Sequence, residues 1–125
     1  MNVREKQPPR AFAVGHPNSP INLVHCADIA LEPDEQVTFV TSSGTEFDVV
    51  RKSWGYYATP SLDARLPAHG LRPALCRSGA RRYLLLAETN RLEEFHAYLR
   101  NQAMEIIAWL DTDDVAPIRS LEPKP

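Results

Sequence analysis

The distribution of proline is the feature that most restricts how this chain can fold. The chain has 125 residues and 11 prolines, of which four lie in the first 20 residues and three in the last nine. Because proline lacks an amide hydrogen and has a fixed φ, such ends are typically extended or mobile. The sequence therefore predicts a flexible proline-rich tail at 1–20, a single domain at 21–114 and a flexible tail at 115–125.

Strand patterns dominate the first part of the predicted domain. Residues 21–31 alternate between more and less apolar side chains, and residues 36–41 and 46–51 are rich in Val, Thr and Phe around Gly44, which favours a hairpin. A second hairpin is predicted from residues 71–77 and 81–88, with Pro73 weakening its first strand or placing it at a sheet edge. These patterns predict about five strands.

Helical spacing appears in two places. A capping-box-like start at Asn90–Glu93 precedes apolar residues at helical intervals, which predicts one long helix at about 91–110. A shorter helix is predicted at 61–69, with Thr59 as its cap and Pro60 at its first position. The predicted fold class is α+β: a mostly antiparallel sheet of about five strands, covered by one long C-terminal helix, with one short helix.

Composition narrows the classes of function. The net charge is -2, which argues against a bulk nucleic-acid binder, and two cysteines are too few for a disulfide-stapled secreted scaffold. No apolar run approaches the roughly 18 residues of a membrane span. We expect a cytoplasmic protein with no membrane contact and no cofactor.

Charge is unevenly distributed along the chain. Residues 21–50 sum to -6, residues 51–82 to +6 and residues 83–114 to -5. Arginine dominates the basic segment, and its planar donor fork suits phosphate or carboxylate. These arginines either pair with acidic neighbours in the fold or form a positive surface that binds an anion.

Aromatic residues cluster at the start of this basic segment, within the stretch 51–61. Trp and Tyr rings stack on sugar or base faces, and a helix start offers free amides to an anion. The alternative is that these rings pack in the core at a strand end. The candidate ligand-binding residues are Arg51, Lys52, Trp54, Tyr56, Tyr57, Thr59, Ser61, Arg65 and Arg72.

Candidates for catalysis or metal binding are sparse. His25 and Cys26 are neighbours on a predicted strand and so point to opposite faces, which argues against a dyad. His25 falls on the more apolar face of that strand, which favours a hydrogen-bonded core histidine. Both cysteines fit small buried apolar residues. The four histidines lack metal-ligand spacing, so no metal site is predicted.

Residues 37–61, reading VTFVTSSGTEFDVVRKSWGYYATPS, are followed by HGLRPALCRS and RRYLLLAE. This stretch resembles a group of short uncharacterised bacterial proteins found among genes for surface-polysaccharide and nucleotide-sugar synthesis. The resemblance covers about 21–110 and implies a setting in sugar metabolism of a bacterial cytoplasm. It implies no catalytic residue.

Three functions remain as hypotheses. The first is a binding or accessory module whose basic aromatic segment, 51–82, holds a nucleotide or sugar phosphate or docks on an acidic protein surface. The second is a small enzyme acting on a nucleotide sugar or sugar phosphate, with chemistry from Asp48, Asp63, His69 or Cys76. The third, single-stranded nucleic-acid binding by stacking, is disfavoured by the net acidity.

Overall fold

The computed structural model describes residues 1–114 and 116–121, which form eight strands in three small sheets and only short helices. The strands are β1 (Asn2–Val14), β2 (Ile21–Ala30), β3 (Gln36–Val40), β4 (Glu46–Lys52), β5 (Gly55–Ala58), β6 (Leu71–Ser78), β7 (Arg81–Glu88) and β8 (Glu105–Trp109). The helices are α1 (Arg65–Ala68), α2 (Leu92–Asn101), which follows a 3₁₀ turn at Thr89–Arg91, and α3 (Ala116–Arg119). The predicted single sheet with a long C-terminal helix is therefore wrong.

The chain divides into two compact units. The first unit comprises residues 1–39 and 48–59, and the second comprises residues 40–47 together with the described residues from 60 onward. β1 spans Asn2–Val14, inside the stretch for which the sequence predicts a flexible tail. The predicted tail and domain boundaries stay predictions, and residues 115 and 122–125 lie outside the described residues.

The first unit begins with a two-stranded antiparallel ribbon of β1 and β2. The register runs from Asn2 opposite Ala30 to Val14 opposite Ile21, with an irregularity between Glu5 and Arg10. Two prolines lie inside that irregularity and cannot donate to a ladder, which explains why the pairing is interrupted there. The strand predicted from the alternation of apolar side chains in β2 is confirmed, and its odd-numbered residues share the more apolar face of the ribbon.

The second sheet of the chain has the order β3-β4-β5, and most of it belongs to the first unit. Its predicted hairpin between β3 and β4 is confirmed, with Gly44 at φ +91 in the turn. Backbone bonds from Asp34 N to Arg51 O (2.7 Å) and from Arg51 N to Glu35 O (3.0 Å) extend the pairing beyond the start of β3.

The second unit contains a three-stranded sheet of order β7-β6-β8. Ala74, Cys76 and Leu99 are buried together, which shows that α2 covers the face of β6 that carries Ala74 and Cys76. Pro73 does not place β6 at an edge, since β6 is the central strand. Proline is tolerated there because the ladder with β8 begins only at Ala74.

The long helix predicted for 91–110 ends at Asn101. Ala103 adopts a left-handed conformation (φ +53), while the amide of Ala103 donates to Arg100 O (3.2 Å) and that of Met104 to Leu99 O (2.9 Å). These bonds form a Schellman cap, which normally uses glycine at the left-handed position. An alanine there gives no sequence signal for a helix end, which is why the sequence pattern predicts a helix that runs on through the residues of β8.

The short helix predicted for 61–69 is also shorter than expected. α1 spans only Arg65–Ala68. Before it, the Ser61 hydroxyl accepts a hydrogen bond from Arg65 N (2.8 Å), and the Ser61 carbonyl accepts one from Leu66 N (2.9 Å). Thr59, the predicted cap, lies in the first unit and donates its amide to Asp48 O (3.1 Å). Among the described residues, no helix is long and apolar enough to cross a membrane.

Candidate binding surface

The aromatic cluster lies on the hairpin of β4 and β5, residues 49–58, which we call the aromatic hairpin. Val49 pairs with Ala58 and Lys52 with Gly55, so the connection is a two-residue turn of Ser53 and Trp54. Gly55 has φ +150, a conformation that side chains rarely adopt, which explains a glycine directly after the turn. A tight turn of this kind holds the rings at the end of a short sheet.

The three rings of the aromatic hairpin are exposed. The exposed fractions are 71% for Trp54, 68% for Tyr56 and 53% for Tyr57. These rings therefore do not fill a core at a strand end, which was the alternative left open by the sequence. Exposed aromatic side chains of this size are typical of surfaces that bind another molecule.

The two tyrosines do not share a face. Tyr56 lies opposite Arg51 and Tyr57 opposite Val50, and successive residues of a strand point to opposite sides of the sheet. One side of the hairpin therefore presents a ring beside a cation, and the other presents a ring beside an apolar side chain. The sequence suggested one ring-binding site, whereas the strand geometry gives two faces.

The cations of the aromatic hairpin are held in place. Arg51 donates from Nε to Lys52 O (2.9 Å) and from Nη1 to Leu31 O (3.2 Å), while Lys52 pairs with the carboxylate of Asp34. Two carbonyl acceptors fix the guanidinium without neutralising its charge. Because Arg51 lies opposite Tyr56 and pairs with no carboxylate of the described residues, its positive charge is on the Tyr56 side of the hairpin.

The predicted binding segment 51–82 is divided between the two units. Arg51, Lys52, the three rings and Thr59 belong to the first unit, whereas Ser61, Arg65 and Arg72 belong to the second. Ser61 and Arg65 are exposed near the start of α1. A single continuous positive surface over the whole segment stays a prediction.

Arg72 contacts an acidic and an aromatic residue of the second unit. It donates to both carboxylate oxygens of Asp111, from Nε at 2.7 Å and from Nη2 at 3.1 Å, and its guanidinium stacks 3.9 Å from the ring centre of Trp109. The hydrogen bonds from Arg72 hold the pKa of the Asp111 carboxyl below its ordinary value of 3.8, and those to Asp111 raise the pKa of Arg72. Arg77 likewise pairs with Glu105. Both contacts fit the interpretation that arginines of the basic segment pair with acidic neighbours.

A hydroxyl-rich cluster in the second unit gives no signal in the sequence. Glu88 Oε1 contacts the hydroxyls of Thr41 (2.7 Å), Ser43 and Thr45 (3.3 Å), and Glu88 Oε2 pairs with Arg91 Nε (3.0 Å). Hydrogen bonds from Ser43 and Thr41 lower the pKa of Glu88 from its ordinary value of 4.5. The hydroxyls hold Oε1 and Arg91 contacts Oε2, and the lowered pKa makes the carboxylate weakly basic, so this cluster anchors the turn between β3 and β4 rather than supplying a catalytic base.

A cavity of about 320 Å³ opens beside this cluster. Its lining includes Ser43, Thr45, His69 and Asn90, and His69 Nδ1 lies 3.7 Å from Glu46 Oε2. Gly70 approaches Thr45 so closely that a Cβ at Gly70 would lie 2.9 Å from Thr45 Cγ2. The side chains that line the cavity are mostly small and polar. One of them, His69, is among the four residues considered for enzyme chemistry.

The other three residues considered for enzyme chemistry are not gathered around His69. Asp48 belongs to the first unit and accepts a hydrogen bond from the hydroxyl of Thr38, and Asp63 is exposed. Cys76 is fully buried in the second unit, and burial raises the pKa of its thiol. A buried thiol with a raised pKa is a poor nucleophile.

The remaining histidine and cysteine candidates lie on the β1–β2 ribbon. His25 is half-buried, with Nε2 2.9 Å from Asp28 Oδ1 and within hydrogen-bond distance of Ala27 O (3.2 Å). Cys26 is exposed, contrary to the expectation of a buried small residue. The described residues contain no group of three or more His, Cys, Asp or Glu side chains arranged to hold a metal ion.

Comparison with known proteins identifies no relative. No known protein family, no curated protein and no solved structure matches the chain.

Proposed function

We propose that this chain is a binding or accessory module that docks on an acidic protein surface through its aromatic hairpin. The observation that carries the proposal is the exposure of Trp54, Tyr56 and Tyr57 on one short hairpin. Tyr and Trp are enriched at protein interfaces because their rings bury a large area and retain a polar edge. A cluster of three such rings concentrates this kind of contact in one place.

The arrangement of the rings favours a protein partner over a small ligand. Tyr56 and Tyr57 lie on opposite faces of the hairpin, with Trp54 in the turn between the strands. A nucleotide or sugar phosphate stacks on one face only. A cleft on a partner protein that receives the tip of the hairpin contacts both faces.

The charge of Arg51 supports an acidic partner. Its guanidinium is positioned by the carbonyls of Leu31 and Lys52 and pairs with no carboxylate in the described part of the chain. An acidic group of the partner on the Tyr56 face would meet a cation whose orientation is already fixed, which reduces the entropy lost on binding. The resemblance of about 21–110 to short bacterial proteins found among surface-polysaccharide and nucleotide-sugar genes implies a cytoplasmic setting in sugar metabolism.

Tryptophan fluorescence tests the proposal directly. The chain has two tryptophans, Trp54 and Trp109, so Trp109→Phe leaves Trp54 as the reporter of the aromatic hairpin. We expect poly-L-glutamate, used as an acidic polypeptide probe, to shift the Trp54 emission at low salt. The shift should shrink at high salt because screening weakens exposed charge attraction. In this background, Arg51→Ala and Tyr56→Ala should each weaken the response.

A matched control separates the hairpin from general surface effects. Tyr98→Ala removes a comparable tyrosine, 41% exposed, from α2 in the second unit and should leave the response unchanged. A response to uridine diphosphate or glucose 1-phosphate but not to poly-L-glutamate would replace the protein partner with a small anion. No response of Trp54 to any of these probes would contradict the proposed binding surface.

A further inference from the structure

β7 is an edge strand of the sheet in the second unit. β6 pairs with β7 on one side and with β8 on the other, so among the described residues β7 has a strand partner on one side only. β7 has eight residues and no proline, whereas prolines interrupt the pairing in β1. Open edges of this length carry a row of unpaired backbone donors and acceptors and are usually protected by prolines, bulges or covering elements.

The sequence of β7 is arranged by charge along its length. Arg81 and Arg82 begin the strand, five residues without charge follow, and Glu88 ends it. Both arginines are exposed, and neither forms an ion pair with another described residue. Leu84 lies between these ends with 55% of its surface exposed. A strand that is basic at its start and acidic at its end complements an antiparallel copy of itself.

Two-fold symmetry fixes the pairing that such a contact can adopt. In an antiparallel pair of identical strands related by a two-fold axis, one residue lies opposite its own copy. When Leu85 occupies the axis, Arg82 lies opposite Glu88 of the second copy and Leu84 lies opposite Leu86. Residues 82, 84, 86 and 88 share one face of the strand, so the same register joins opposite charges and covers the exposed Leu84.

We propose that β7 is a homodimer interface, in which two copies of the chain join their three-stranded sheets into one six-stranded sheet. The interface is isologous, so each Arg82–Glu88 pair occurs twice and the contact closes after two copies. Glu88 suits this role because hydroxyls on one oxygen and Arg91 on the other lower the pKa of its carboxyl and hold the side chain in place. This inference is independent of the aromatic hairpin and of the function proposed for it.

Sedimentation velocity of the full chain over a wide range of concentration tests the interface. We expect a species of twice the 14.1 kDa chain mass whose fraction rises with concentration. Leu84→Glu should raise the dissociation constant by about tenfold or more, because each dimer loses two apolar pairs and gains two charges. Leu84 is exposed in the single chain, so circular dichroism should show an unchanged fold.

Adjacent arginines provide the matched control. Arg82→Glu places a negative charge opposite Glu88 of the second copy and should weaken the dimer, increasingly so at low salt. Arg81→Glu makes the same change one residue earlier, on the other face and opposite Thr89, and should have a smaller effect. Equal effects of the two variants would mean that net charge, not the register, controls association.

Hydrogen exchange of the unaltered chain gives a second measurement. If β7 pairs with a second copy, its outward amides should become more protected as the concentration rises. A 14.1 kDa species at every concentration, with no such protection, would overturn the proposal. So would a dimer that withstands Leu84→Glu and Arg82→Glu but dissociates with Val24→Glu, which alters the exposed surface of the β1–β2 ribbon.

Discussion

The two units of this chain differ in how they hold together. All seven buried hydrophobic residues of the described chain belong to the second unit, where α1 and α2 supply Leu66 and Leu99 against the sheet. In residues 1–39 and 48–59, all of which the structure describes, no apolar side chain is buried. The first unit relies on strand pairing, fixed arginines and surface ion pairs. A two-stranded ribbon alone is only marginally stable in water. The second unit is more tightly packed because α1 and α2 cover its sheet.

That difference also separates the proposed roles of the units. The first unit presents its large rings and apolar ribbon face to solvent, which suits a surface completed by a partner. The second unit has a packed core, and its edge strand β7 suits a self-association that leaves the core unchanged. The contrast between the units is tested with pairs of variants. The two residues of each pair differ in the unit to which they belong or in how deeply they are buried.

The largest effect is expected for a buried leucine of the second unit. Leu99 is 4% exposed against Ala74 and Cys76, so Leu99→Ala should lower the free energy of unfolding by about 2–5 kcal/mol. Leu23, 41% exposed on the ribbon of the first unit, provides the same change without a cavity, and Leu23→Ala should cost less than about 1 kcal/mol. Urea denaturation measures both. Equal losses would mean that the ribbon is packed as tightly as the core.

A smaller effect is expected for the bidentate ion pair of the second unit. Arg72→Ala leaves the Asp111 carboxylate, whose side chain is only 10% exposed, without its two donors, which should cost about 1–3 kcal/mol. Arg77→Ala breaks a pair whose side chains are both about half exposed or more, and should cost about 0–1 kcal/mol. Denaturant unfolding of the two variants compares them. A larger loss for Arg77→Ala would mean that burial of the Asp111 carboxylate does not strengthen its pair with Arg72.

Sequence patterns predicted the local elements better than their arrangement. Both hairpins, at 36–52 and 71–88, are confirmed, because alternation and turn glycines act over a few residues. The helix predicted at 91–110 was wrong because Ala103 takes a conformation usually adopted by glycine, and because Ile106 and Leu110 continue the helical spacing of the apolar residues before them. A short apolar run does not distinguish a helix from a strand.

The candidate site was predictable only in part. The cluster of Trp54, Tyr56 and Tyr57 was evident in the sequence, but its exposure and its division between two faces follow from the register with β4. The pairing of Arg72 with Asp111 joins residues 39 positions apart, and no spacing rule connects them. The same holds for Glu88 and Ser43, which are 45 positions apart. Such contacts are set by tertiary structure.

Acid should remove the contribution of the Arg72–Asp111 pair. The folded chain holds the pKa of Asp111 below its ordinary value of 3.8, whereas the unfolded chain titrates near that value. The unfolded state therefore takes up this proton first as the pH falls, and the stabilisation present above about pH 4 is lost below it. Urea denaturation at a series of pH values should show the difference between the unaltered chain and Arg72→Ala narrowing below 3.8. A difference that stays constant would mean that Arg72 stabilises by stacking on Trp109 alone.

The smallest effect is expected for the matching ion pair on the ribbon of the first unit. Lys6 Nζ lies 3.0 Å from Asp28 Oδ2, and its hydrogen bond lowers the pKa of Asp28, but both side chains are well exposed. Water solvates the two separated charges almost as favourably as it solvates the pair, and salt screens the remaining attraction between them. Lys6→Ala should therefore leave the midpoint of urea denaturation unchanged at physiological salt. A clear loss at Lys6, comparable to that at Arg72, would show that the ribbon depends on its surface charges and would narrow the contrast between the two units.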